Sequence, residues 1–213
     1  MNRKAAGLYI LLFLLLLPAT GRADELKTIL QGLSLKYSRV KTLSAEFFQE
    51  TEHRAIKKKT LASGKVLFKR PDMFRWLILN PTGEEIISDG KTLWIYQPDL
   101  AQVVKTSARG GIPALVVRLM GSLHDVERLF TVRYIGKVDN TLALELRPRE
   151  EMDAVDRLVL FVDSKEFSVV KIEIHEGFGR TVSIRFHNVV LNPVLDESIF
   201  KFRPRPGVTV VEP

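Results

Sequence analysis

The stretch that decides the reading is residues 64–98, GKVLFKRPDMFRWLILNPTGEEIISDGKTLWIYQP, which holds both tryptophans of the chain. It alternates with a period of two between turn residues, the mark of short strands whose successive side chains face opposite ways. Val66, Phe68 and Arg70 share one face of a strand that ends at Pro71-Asp72. Phe74, Trp76 and Ile78 share one face of the next, with Arg75 opposite. The turn Asn80-Pro81-Thr82-Gly83, a strand over 84–88, the hairpin signal Asp89-Gly90 and a strand over 91–96 follow. An apolar stripe such as Phe74/Trp76/Ile78 belongs to a core by default. Arg70 is the residue a plain core does not need, because arginine is rarely buried without partners. At a pocket rim its five donors reach carbonyls at a helix end. The stretch therefore reads as the wall and rim of a pocket for an apolar ligand. The alternative for Arg70 is a strand-end arginine in water.

Upstream, Leu43, Ala45 and Phe47 alternate with Ser44, Glu46 and Phe48 in a strand over 43–49, and residues 53–59 read as the loop into the strand over 61–70. Before them Leu26, Ile29, Leu30, Leu33 and Tyr37 form one stripe of a helix over 24–37, with Asp24 and Glu25 at its start. Gly32 weakens that helix by about 1 kcal/mol relative to alanine. Downstream, a sixth strand over 100–105 precedes Gly110-Gly111. A second helix carries Ile112, Leu115, Val116, Leu119 and Met120 at i, i+3, i+4, i+7 and i+8, with Pro113 in its first turn and Gly121 closing it. Ser122 with Asp125 resembles a cap for a short helix through Arg128. Strands follow over 131–137, 141–147, 157–162, 169–175 and 181–190, and after a turn over 196–199 residues 200–203 finish the sheet. About eleven strands make a large, mostly antiparallel sheet that must curl, in a mainly β chain with α. Little helix is available to cover its apolar face, so a cavity competes with a packed core.

The first residues are set apart. Arg3 and Lys4, an apolar run over 8–17, Pro18 and Gly21-Arg22-Ala23 have the layout of a secretory signal peptide over 1–23, cleaved after Ala23. A membrane anchor is the alternative, for which the run is short of the about 20 residues of a span. Residues 24–213 then form one domain of 190 residues, with 29 basic side chains against 25 acidic ones. That mild excess, without a basic stripe interleaved with aromatics, gives no case for nucleic acid. Lys57-Lys58-Lys59 reads as a solvated hairpin loop, with a docking patch for an acidic partner as the alternative. The chain has no cysteine, which excludes disulfides, a thiol nucleophile and a lipid-modified cysteine after the leader. The mature protein is expected to be soluble and exported.

No enzyme signature is present. His53, His124, His175 and His187 lack metal-ligand spacing, so neither a metal nor a cofactor is expected. No nucleophile elbow, phosphate loop or dinucleotide fingerprint occurs. Asp156, Asp163, Glu173 and Glu176 read as solvated turn and strand carboxylates, and a hydrolase with scattered residues is the alternative.

At Lys69-Arg70-Pro71, Phe74, Trp76, Ser88-Asp89-Gly90-Lys91-Thr92-Leu93-Trp94 and Tyr96 the chain resembles the LolA family, periplasmic carriers of outer-membrane lipoproteins in Gram-negative bacteria. Ala45-x-Phe47-x-Gln49 upstream and the close over 200–208, FKFRPRPGV, agree with it; residues 131–187 carry only pattern. The resemblance implies an incomplete, unclosed β-barrel with a helical lid over a hydrophobic cavity for acyl chains. It implies a monomer in the periplasm with three partners: the lipoproteins, an inner-membrane ABC transporter that releases them, and the outer-membrane acceptor LolB where one exists. LolB shares the fold and is anchored through a lipidated cysteine, so the cysteine-free chain matches the soluble carrier. By the motif, Arg70 takes the place of the arginine that bonds to the lid helix and holds the empty form shut. The expected cavity residues are Phe47, Val66, Phe68, Phe74, Trp76 and Ile78 on the strands, and Leu115, Val116, Leu119 and Met120 in the lid helix. A binder of another lipid, a lipoprotein sensor and a lipid-acting enzyme are the alternatives.

Overall fold

The computed structural model describes residues 20–107, 111–152, 155–203 and 206–212. The leader expected over 1–23 lies outside these residues up to position 19. From Thr20 the chain is already helical: α1 is Thr20–Tyr37. Asp24 and Glu25 therefore sit inside the helix rather than at its start. The strands in chain order are β1 Thr42–His53, β2 Lys58–Lys69, β3 Met73–Asn80, β4 Glu85–Asp89, β5 Thr92–Gln97 and β6 Gln102–Ser107. After α2, Gly111–Ser122, come β7 Phe130–Val138, β8 Thr141–Pro148, β9 Val155–Asp163, β10 Val169–Glu176, β11 Arg180–Leu191 and β12 Thr209–Val211.

All twelve strands belong to one sheet, in the order β12-β6-β5-β4-β3-β2-β1-β11-β10-β9-β8-β7. Every pairing is antiparallel except β12 on β6. β7 and β12 stand at opposite ends of that order, so the sheet is an unclosed one. Period-two burial gives it an inner face. Leu43, Ala45 and Phe47 on β1 lie opposite Phe68, Val66 and Gly64 on β2, and Phe68 and Val66 lie opposite Phe74 and Trp76 on β3. A single core cluster unites these residues with Ile29, Leu33 and Tyr37 of α1, with Leu115, Val116 and Leu119 of α2, and with Leu144, Leu160, Ile172 and Ile184 of the far strands. Near and far strands share one cluster only because the sheet curls, and both helices lie in its concavity.

Four local expectations are corrected. The β1–β2 hairpin is longer than its alternation suggests: a 3-10 turn at Arg54–Ile56 and a left-handed Lys57 (φ 50°) close it, so Lys58 and Lys59 lie in β2, not in a loop. Lys59 pairs with Glu50 at 3.0 Å. Residues 200–203 are not a strand; Phe200 ends a 3-10 turn, Glu197–Phe200, and the twelfth strand lies beyond it. Gly121 does not end α2 by left-handed geometry. It lies inside the helix, and a Cβ there would stand 3.2 Å from the Phe68 ring, so glycine sets how closely α2 approaches β2. Ser122 does not cap the following segment either; its hydroxyl donates back to the carbonyls of Arg118 and Leu119 at 2.9 and 3.1 Å.

Candidate functional site

The site is built where the two helices close over the strands of the decisive stretch. Phe47 and Trp76 stack at 4.4 Å between centroids, tilted by 34°, and Trp76 is 1% exposed. Phe47, Val66, Phe68, Phe74 and Trp76 are buried with Leu115, Val116, Leu119 and Met120 in one cluster, and half-buried Ile78 packs against it. The sequence-derived set is thus contiguous, but its members stand differently toward open space. Trp76, Ile78 and Leu115 line a cavity of about 360 Å³ under the first turn of α2. Phe74 lines a separate recess of about 450 Å³ on the other flank of the helix. Ile86, Ile112, Met152 and Val155 complete the apolar wall of the first cavity, and Gln49, Arg118, Glu176 and Arg180 form its polar side. Arg180 and Glu176 pair there at 2.7 Å. Of the residues outside the sequence-derived set, Ile86 and Ile112 carried an alternation or helical-stripe signal. Met152, in the β8–β9 connection, and Val155, the first residue of β9, carried none.

Arg70 does bond to a helix end, and the end is that of α1. Its Nη2 donates to the carbonyl of Tyr37, the last residue of α1, at 3.1 Å. The same nitrogen lies 3.2 Å from Nδ1 of His124, in the 3-10 segment Leu123–Arg128 that follows α2. One guanidinium nitrogen therefore ties the first helix to the segment following the second. The arrangement suits the electrostatics, since the C-terminal end of a helix favours a cation. It is also incompletely satisfied: Arg70 Nε is buried without a partner among the described residues, and an orphaned buried donor costs about 1–3 kcal/mol.

Tyr37 fixes the other side of this joint. Its ring is 1% exposed, and its hydroxyl oxygen accepts from the Val169 N–H at 3.0 Å, anchoring α1 to β10. Burial pushes the Tyr37 hydroxyl pKa up, against the opposing effect of that hydrogen bond. Between α1 and the 3-10 segment runs a groove of about 420 Å³ lined by Leu26, Leu30, Leu123 and Val126 with polar Lys27, Gln31 and His124. The cover is thus two pieces meeting along a seam that Arg70 closes from below. Among the described residues no group of three or more His, Asp or Glu side chains is placed to hold a metal ion, and no helix is long and apolar enough to cross a membrane.

The chain was compared with known proteins. A family model described as outer membrane lipoprotein carrier protein LolA matches residues 38–203, which take in β1 through β11, α2 and Arg70. The outer-membrane lipoprotein carrier protein of Halorhodospira halophila is 32% identical over 215 residues, covering 100% of this chain and 96% of its own. The protein of the same description from Nitrosospira multiformis is 30% identical over 204 residues, covering 96% and 94%. A crystal structure of an uncharacterized conserved protein from Thermus thermophilus superposes with a TM-score of 0.57 at 16% identity, over 89% of this chain and 99% of that one, a likeness of fold alone. With the family model spanning the sheet and its inserted helix, and relatives matching along nearly the whole length, the chain belongs to the LolA family of outer membrane lipoprotein carrier proteins.

Proposed function

We propose that the protein is a periplasmic carrier that takes up the acyl chains of lipoproteins released from the inner membrane and delivers them to the outer membrane. It binds and hands over without chemical turnover. Its partners on this reading are the lipoproteins, an inner-membrane ABC transporter that releases them, and LolB or another outer-membrane acceptor. The observation that carries the proposal is the apolar concavity of an unclosed sheet, covered by two helices that are joined through Arg70 and leave a cavity beneath α2. Burial of an acyl chain gains about 0.8 kcal/mol per CH₂, so even ten buried CH₂ groups bring roughly 8 kcal/mol. That suffices to solubilise a lipidated load, and part of it is used in opening the cover, which keeps the load releasable. The cavity of about 360 Å³ sits near the lower end of the roughly 300–1,000 Å³ typical of small-molecule sites. A multiply acylated cargo therefore requires the cover to move, and Arg70 is the latch on that movement.

Native mass spectrometry of the protein isolated from its own periplasm tests this. The expected adduct is an intact lipoprotein, and depletion of the protein in the source cell is expected to leave outer-membrane lipoproteins at the inner membrane. A bound free lipid with no lipoprotein adduct, or unaltered lipoprotein sorting on depletion, overturns the reading.

A further inference from the structure

We propose that His124 is the positioning residue of the Arg70 latch: its neutral ring holds the guanidinium against the end of α1, and a proton on Nδ1 releases it. This rests on the reading of Arg70 as a latch. The guanidinium has five N–H donors and no acceptor. Its Nη2 sits 3.2 Å from His124 Nδ1, so that ring nitrogen must accept and the ring proton is on Nε2. A second proton on the ring turns the acceptor into a donor and sets two cations face to face. The contact survives in one protonation state of the histidine only.

The consequence reaches both pieces of the cover. The same Nη2 holds the Tyr37 carbonyl at 3.1 Å, and Nε is buried without a partner among the described residues. Loss of the His124 contact therefore removes one of the two bonds this nitrogen makes, and repulsion drives the guanidinium off the other. His124 is exposed, so its ring exchanges protons with solvent. The charged groups around it come from every neighbouring element: Lys27 on α1, Arg118 on α2, Arg70 and Asp72 at the β2–β3 turn, and Asp125, Glu127 and Arg128 on its own segment. Asp125 is taken up by Arg128 at 3.6 Å. Arg70 is the charged group within hydrogen-bond distance of the ring. Acidification is therefore expected to open the cover, and neutral or alkaline conditions to keep the empty form shut.

Uptake of Nile red, a neutral apolar dye, reads cover opening without any lipoprotein. In the parent, dye fluorescence is expected to rise several-fold from an alkaline to an acidic buffer, because a proton on Nδ1 turns the ring's acceptor into a donor. His124→Gln keeps an acceptor that does not titrate and should hold the low signal at both ends. His124→Leu removes the acceptor and should give the high signal at both. Long-range ¹H–¹⁵N spectra of the histidine rings at the alkaline end should show Nδ1 of His124 bare, and circular dichroism checks that both variants fold. A pH-independent signal in the parent, a His124→Gln protein that keeps the parent's rise, or a proton on Nδ1 at alkaline pH overturns the proposal. A protein that gates the dye in this way yet takes up no lipoprotein retains the switch and loses the carrier function. One that carries lipoprotein with pH-independent dye uptake loses only the switch.

Discussion

At Gly32 two effects of opposite sign meet on one carbon. Alanine in a helix interior is better than glycine by about 1 kcal/mol. Here, however, a Cβ would stand 2.4 Å from Cγ and Cδ1 of Phe167. The clash falls on the base of the ring, Cγ and both Cδ atoms, which moves only if Phe167 as a whole is displaced, and its backbone is held by an N–H bond to the Asp163 carbonyl at 3.0 Å. Overpacking of this kind costs about 1–3 kcal/mol and outweighs the propensity gain. Gly32→Ala is thus expected to lower the melting temperature, and a rise on thermal denaturation would show that propensity decides. At Arg70 the balance is closer. Replacement by leucine removes two hydrogen bonds from a cation, each worth about 1.5–3 kcal/mol, but also removes the buried, unpaired Nε, whose desolvation costs about 1–3 kcal/mol. Arg70→Leu should therefore fold and export, with a melting temperature lowered by several degrees, while altering lipoprotein loading and handover in a reconstituted transfer assay. Loading and delivery equal to the parent would discard the latch. A bond from Arg70 to a helix end was one of two readings open from its place beside Phe68 on an apolar strand face. Its partners were not legible, because a strand-end arginine reaches whichever helix terminus packs nearest, and no local pattern says whether that is α1 or α2. His124 was weighed with the other histidines as a metal ligand and set aside for want of ligand spacing, and sequence spacing does not report a ring nitrogen opposite a guanidinium more than fifty positions away.

At the scale of the element, the segment after β11 shows how a correct local pattern leads to the wrong structure. Phe200 and Phe202 alternate with Lys201 and Arg203 as a strand would. The backbone turns instead, because the Asp196 carboxylate accepts from the Ser198 N–H at 2.7 Å and caps a 3-10 turn. The turn packs on β3 and β4, and Phe200, 0% exposed, lies outside the main core cluster. Arg75 donates to the Ile199 carbonyl at 3.2 Å and pairs with Glu85, and Phe202 lies 5.8 Å from the Tyr96 ring. The segment is a strap across β3–β5. Its position also shows which way β5 faces: Leu93 points into the concavity, and Trp94 and Tyr96 point outward. The surface that receives the strap is assembled from strands about a hundred residues earlier, which is why the strap was read as another strand. Phe200→Ala should cost about 3–5 kcal/mol, the usual penalty for deleting a buried aromatic ring. It should also loosen the strap, shifting Trp94 fluorescence to longer wavelength in a Trp76→Phe background. Unchanged stability and emission would mean that the strap is held elsewhere.

For the whole molecule, the architecture was legible because each element carries its own signal. The alternating strands, the two amphipathic helices and the turn residues together fix one curled sheet with a helical cover, and among the described residues twelve strands stand where about eleven were expected. The division between packed core and open cavity was not legible. Phe68 and Trp76 obey the same alternation, yet Phe68 lies beneath Gly121 of α2 while Trp76 borders the cavity. What separates them is where the cover fails to meet the sheet, and that depends on Met152 and Val155 from a distant connection as much as on the strand itself. Filling the gap is therefore a direct test of its use. Ile112 is half-buried at the first turn of α2 and borders the cavity, so a larger side chain there can enter the open space without overpacking the core. Ile112→Trp should leave the melting temperature unchanged or slightly higher, as cavity-filling substitutions do. It should weaken uptake of a single-chain amphiphile several-fold, measured by titration with a fluorescent fatty acyl probe. It should also reduce the fraction of protein recovered with lipoprotein bound. If acyl uptake matches the parent while the indole fills the space, the acyl chains enter elsewhere, and the groove between α1 and the segment after α2 becomes the place to substitute next.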